Sequence, residues 1–138
     1  MWCGLVIVST APDWSRFYTA LMSGELLPAA QLTQMRTTVP MQPVNPVSGP
    51  GYGLGIVTLP TSCGTVWAHD GALPGYFSIN FTDSTGRRTA TVLVSTELFA
   101  EFEFAPKLAA ALQKLQDAVV CSMVGPAIPS GPAAAQAH

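Results

Sequence analysis

From Thr65 to Ser95 the side chains alternate in a way that only paired β-strands can satisfy. Phe77, Ile79 and Phe81 alternate with Tyr76, Ser78, Asn80 and Thr82, and Ala90, Val92 and Val94 alternate with Thr89, Thr91, Leu93 and Ser95. A period of two sends each set to one face of a pleated strand, so one face is buried and the other is mixed. The segment between the two runs, Asp83 to Arg88, carries Gly86, and the pair reads as an antiparallel hairpin. An earlier run, Thr65 to His69, ends at His69-Asp70-Gly71 just before a Pro-Gly turn that folds the chain back. Tyr52 to Leu59 reads as a further strand pairing on that run.

Helices frame this core. Thr10-Ala11-Pro12-Asp13 has the form of a capping box with proline in the first turn, and Trp14, Phe17, Tyr18 and Leu21 follow at helical spacing up to a stop at Gly24. A second, short helix starts near Pro28 and carries Leu32 and Met35 on one face. Between Thr37 and Gly51 the density of proline and glycine predicts a surface loop. Gly51-Tyr52-Gly53-Leu54-Gly55 lacks both the Gly-x-Gly-x-x-Gly and the Gly-Lys-Ser/Thr pattern, so it is no phosphate loop. The last helix, from about Ala105 to Ser122, has Pro106 near its start and Glu101 and Glu103 ahead of it. Its stripe of Leu108, Ala111, Leu112, Leu115 and Val119 is expected to lie across the sheet. The expectation is an α+β fold: an antiparallel sheet of about three to four strands with N-terminal helices and a C-terminal helix packed on it. Residues 1–124 form the folded unit, and 125–138 read by composition as a disordered tail.

Several classes of function fall away. Six Lys and Arg residues are scattered and the net charge is −2, which leaves no electrostatic footprint for nucleic acid. No apolar run approaches the roughly 20 residues of a spanning helix. The apolar start lacks a basic leader and is followed closely by Asp13 and Arg16, so no signal peptide is read. The three cysteines show no Cys-x-x-Cys spacing, which argues against zinc and thioredoxin-type chemistry, and no cofactor is implied. Asn80-Phe81-Thr82 matches a glycosylation sequon but lies within a strand and is incidental. Charged residues make up 10% of the chain, against roughly a quarter in typical soluble domains, so apolar surface and a sheet edge are expected to be open to self-association.

The order of strand, His-x-Gly, Leu-Pro-Gly-Tyr, strand, Thr-Gly-Arg-Arg turn, strand and closing helix resembles the C-terminal part of the serine β-lactamase and D-alanyl-D-alanine carboxypeptidase superfamily. Its nearest branch is the secreted, class-C-like DD-peptidase and esterase group. Ser9 to Tyr18 and Tyr52 to Gly55 are similar to elements of that family in the same order, so the resemblance runs from about Ser9 to Cys121 and covers part of the family's fold. His69-Asp70-Gly71 stands where the family ends one strand of its central sheet in Lys-Thr-Gly or His-Thr-Gly. The resemblance implies that His69 supplies a hydrogen bond or partial positive charge beside the nucleophile and that Gly71 lets substrate backbone lie along the strand. It also makes the Ala72 N–H one of two oxyanion donors. At Asp70 an aspartate replaces the family's threonine; it would repel a substrate carboxylate, which favours an esterase or amidase over a carboxypeptidase. The plain reading of His69 is a satisfied polar residue near a turn. The resemblance also implies a disulfide between Cys63 and Cys121 and an extracellular or cell-envelope location; the alternative is two buried thiols. Cys3 has no assigned role.

Acyl transfer needs a nucleophile with a base as well as oxyanion donors. In this superfamily the first two come from Ser-x-x-Lys and from a Tyr-x-Asn or Ser-x-Asn loop. The only lysines are Lys107 and Lys114, and neither follows a serine by three residues. Ser78-Ile79-Asn80 has the letters of the second motif but lies in a strand after the third. The expectation is the C-terminal segment of a serine hydrolase, inactive alone, that meets a small-molecule or peptide substrate only when N-terminal parts complete it. The alternatives are a non-catalytic binding module and a truncated remnant. In the complete fold, further strands would pair with the outer edge of Thr89 to Ser95.

Overall fold

The computed structural model describes residues 7–41, 49–73, 75–95 and 106–125, with backbone only for 106–109 and 112. Helix α1 (Ala11–Ser23) begins as the capping pattern predicts. The Thr10 hydroxyl accepts the Asp13 N–H at 3.3 Å and donates to the Asp13 carboxylate at 2.7 Å. Gly24 ends the helix at φ +85°, with its N–H on the Leu21 carbonyl and that of Glu25 on Ala20. Glycine takes this left-handed stop without steric cost. Helix α2 (Ala29–Met35) follows Pro28 and buries Leu32.

Strands β1 (Val39–Pro40), β2 (Gly51–Tyr52), β3 (Val57–Thr61), β4 (Gly64–Leu73), β5 (Tyr76–Thr82) and β6 (Thr89–Val94) form one antiparallel sheet in sequence order. Strands β5 and β6 are those expected, and β4 runs on past the expected end at His69 to Gly71 as far as Leu73. The expected single strand from Tyr52 to Leu59 is broken into β2 and β3 by a turn in which the Gly53 N–H bonds the Ile56 carbonyl and Gly55 takes φ +74°. The short strands β1 and β2 flank the proline-rich stretch and widen the sheet. Pro40 sits on the marginal strand β1, where a missing N–H costs little. A Cβ on Gly53 would collide with the Met35 carbonyl oxygen, and Leu54 N–H bonds that same oxygen at 3.0 Å. Glycine here lets the chain lie against the end of α2.

On one face of the sheet Val66, Ala68, Phe77, Ile79 and Phe81 form the main core and receive Val120 of helix α3 (Pro106–Val124). On the other, Trp67 packs on Tyr18, Met22 and Ile56, and α1 lies over β5 and β6. The Arg36 guanidinium donates to the Met22 carbonyl at 2.8 Å and sits 5.9 Å from the centre of the Trp67 ring.

The final helix differs from expectation in its seat. Val120 is fully buried, with Val119 and Met123 beside it, whereas Ala111 and Leu115 of the predicted stripe are exposed. The side chains of Leu108 and Leu112 lie outside the described residues. The physical reason is where α3 is fastened. Cys121 is bonded to Cys63 in the turn between β3 and β4, and Arg88 donates to the Val124 carbonyl at 2.7 Å, so the C-terminal half is held to the sheet. The disulfide spans 58 residues, with Cα atoms 5.2 Å apart, and on the chain-entropy account stabilises the fold by about 4 kcal/mol. Gly125, the first residue of the expected tail, caps α3 at φ +78°, and the remainder of the tail, Cys3, Glu101 and Glu103 lie outside the described residues.

Candidate functional site

The site is defined by where one strand stops. Strand β4 stays paired with β5 as far as Leu73, opposite Tyr76, while its pairing with β3 ends at Ala68, opposite Val57. His69 to Leu73 therefore present one side with no strand partner among the described residues. The Ser78 hydroxyl on β5 donates to the Gly71 carbonyl at 3.3 Å, so that carbonyl faces β5. Backbone groups alternate in direction along an antiparallel strand, which turns those of Asp70 and Ala72 toward the open side. The Ala72 N–H thus points to the side of β4 that has no strand partner among the described residues.

His69 and Gly71 share a face, the one covered further along by α1. His69 is half-buried and its Nε2 lies 3.5 Å from the Tyr52 hydroxyl, with the two rings edge to face and 6.5 Å between centroids. Across the sheet, His69 is opposite Asn80, which is opposite Thr91; Gly71 is opposite Ser78, which is opposite Leu93. The Asn80 amide donates to the Thr91 hydroxyl, which lies 3.1 Å from Ser15 on α1. Beyond that row, Leu73, Tyr76 and Leu93 are exposed, so the sheet end beside His69 is an uncovered shelf. A Cβ added to Gly71 would stand 3.3 Å from the Ser78 hydroxyl, directly on this shelf.

Asp70 is exposed, and alternation turns its side chain to the other face from His69. The Tyr18 phenol on α1 is pushed up first by burial and then by the charge of Asp70. The side chain of Ala72 is half-buried against the main core, leaving its backbone as the part that faces the edge. The expected residues are therefore brought together along one strand: an imidazole, a bare glycine and an outward-facing N–H, with a carboxylate on the reverse.

Two residues enter that sequence reasoning had not placed there. Tyr52 was read as a strand start, and only the folding of β2 beside β3 brings its hydroxyl to His69. Asn80 was set aside with Ser78 as a misplaced motif; the register puts both opposite the His-x-Gly strand, and the signal for this was the polar phase of the alternation in β5. Two grooves lie elsewhere, on the α3 side. One of about 620 Å³ runs between β6 and α3 past Arg88, Ala90, Val119 and Met123, and one of about 340 Å³ between β3 and α3 past Leu59, Phe81 and Gln116. Neither touches His69. No helix among the described residues is long and apolar enough to cross a membrane.

The family model for Beta-lactamase matches residues 4–114. A D-stereospecific amidohydrolase from Streptomyces sp. is 34% identical over 68% of this chain, with a TM-score of 0.58. The match takes in 29% of that protein's own length, so the chain spans less than a third of it. With the antiparallel sheet, its helices and the His-x-Gly strand in the order the resemblance requires, the chain belongs to the β-lactamase family, within the serine β-lactamase and penicillin-binding-like superfamily.

Proposed function

We propose that this chain provides the C-terminal wall of a serine hydrolase acyl-transfer site and is inactive without the part that carries the nucleophile. The observation that carries the reading is the open edge of β4. A carbonyl laid along it meets the Ala72 N–H as an oxyanion donor, Gly71 leaves room for it, and His69 stands on the same strand end. The second donor, the attacking hydroxyl and its base come from elsewhere, because no Ser-x-x-Lys occurs in these residues. One donor without a nucleophile does not catalyse.

Esters and amides without a free carboxylate next to the scissile bond are the favoured substrates, since Asp70 opposes a second negative charge at the edge. The D-stereospecific amidohydrolase similarity supports the amide side of that choice. A disulfide persists in oxidising compartments, which supports action outside the cytoplasm. A second reading, a non-catalytic interaction module, draws on the outer edge of β6, which has no strand partner among the described residues, and on the exposed Leu93, through which copies would associate.

The test uses the chain alone and the chain fused behind an N-terminal segment of the family that carries Ser-x-x-Lys and Tyr-x-Asn. Nitrophenyl esters, D-amino acid anilides and a chromogenic cephalosporin are the substrates. Turnover is expected only from the fusion and is expected to fall at least about tenfold in its His69→Ala form. Serine-dependent turnover by the chain alone, or a fusion that folds and acylates no substrate, overturns the reading.

A further inference from the structure

We infer that Asn80 is a positioning residue for His69: its buried side-chain oxygen accepts the Nδ1–H of the imidazole and holds the tautomer whose bare Nε2 faces Tyr52. The inference deepens the acyl-transfer reading, on which its catalytic meaning rests. Asn80 and His69 are register partners on one face of the sheet. Asn80 is 4% exposed, and its amide nitrogen is committed to Thr91, whose hydroxyl is in turn beside Ser15. Its Oδ1 is buried and has no hydrogen-bond partner among the described residues.

A buried acceptor left without a donor costs about 1–3 kcal/mol, so a donor within reach is strongly favoured. The polar side chain opposite it on β4 is His69, and a neutral imidazole carries one N–H and one bare nitrogen. The unpartnered Asn80 oxygen favours a proton on the nitrogen that faces it, and Tyr52 accommodates the other. The Tyr52 hydroxyl lies 3.5 Å from Nε2 and can donate or accept, so once Nδ1 gives its proton to Asn80 the bare Nε2 takes that hydroxyl as its donor. The buried Oδ1 and the imidazole therefore stand opposite one another on the same face. Opposed side chains on one face of an antiparallel pair lie close enough to meet, and the imidazole N–H is the donor assigned to Oδ1. The row Tyr52, His69, Asn80, Thr91, Ser15 then forms one hydrogen-bonded line from the open edge of β4 to α1. In the acyl-transfer reading this fixes the orientation of the ring beside the open edge of β4.

The tautomer is read directly by long-range proton–nitrogen correlation on the ring of His69 in the full, ¹⁵N-labelled chain, with His69→Gln separating its signals from those of His138. The neutral ring is expected to carry its proton on Nδ1, the reverse of the form favoured by free histidine. Asn80→Ala is expected to return the ring to the Nε2–H form. An Nε2–H ring in the unsubstituted chain, or an Asn80→Ala ring that keeps Nδ1–H undiminished, overturns the inference. Should Asn80→Ala not fold, Asn80→Asp keeps the acceptor at nearly the same volume. It should then retain Nδ1–H and move that proton downfield; an unmoved resonance overturns the inference equally. None of these readouts needs turnover, so the acyl-transfer reading stands or falls separately, in the fusion assay.

Discussion

The Tyr52 hydroxyl lies 3.5 Å from Nε2 of His69, across the point where β3 stops pairing with β4. The contact joins a two-residue strand to the middle of a ten-residue one and marks the inner limit of the open edge. Tyr52 is 40% exposed, and its ring meets the imidazole edge to face. Tyr52→Phe is expected to change stability by no more than about 0.5 kcal/mol, as exposed substitutions usually do. It should nevertheless move the Nε2 resonance of His69. Urea unfolding and nitrogen chemical shifts check the two halves, and a large stability loss would show that Tyr52 is structural.

The disulfide fastens α3, and its removal is expected to act on the whole fold. Cys63→Ser with Cys121→Ser should lower the unfolding free energy by up to about 4 kcal/mol, because the 58-residue span regains its freedom in the unfolded chain. A two-state thermal or urea melt measures it. Reduced chain should also bind more of a hydrophobic dye, since Val120 covers Phe81 and Val66 from that helix.

Asp83 organises the β5–β6 turn and gives the fold an acid-sensitive element. Its carboxylate accepts the Thr85 N–H at 3.0 Å, the Thr85 hydroxyl at 2.9 Å and the Arg87 N–H at 3.1 Å. Burial alone would raise its pKa, but these bonds outweigh burial and hold it below the usual carboxylate value. The folded value lies below the unfolded one, so the stabilisation is fully present above the unfolded value, near 4, and is lost as pH falls through the folded value. Asp83→Ala should cost about 1 kcal/mol at neutral pH and flatten the acid limb of stability against pH. An unchanged acid limb in urea melts would contradict this account.

Gly86 in the same turn has φ +74°, and a Cβ there would come 2.7 Å from the Thr19 carbonyl and 3.0 Å from Met22. Gly86→Ala therefore combines a left-handed backbone with a clash against α1. It should destabilise by more than the roughly 1–2 kcal/mol of the backbone term alone. Chemical denaturation checks the magnitude, and amide exchange should show the loss spreading into α1.

Local chemistry wrote much of this fold into the chain. The alternation of Phe77, Ile79 and Phe81 is realised as the core face of β5, Thr10 and Gly24 bound α1, and Gly86 turns the hairpin as its position required. Each of these depends on residues a few positions apart, so the sequence carries them by itself. The tie between Cys63 and Cys121 followed from resemblance, not from spacing, because residues 58 apart say nothing locally about their distance. What only the tertiary structure decided is edge status and companionship. Alternation assigns His69 a face, but whether its strand has a neighbour depends on β3 ending opposite Ala68. The meeting of Tyr52 with His69, the burial of Asn80 beneath α1 and the exchange of Leu115 for Val120 in the core have the same origin. Each is set by where distant segments come to rest, and no periodicity within one segment encodes that.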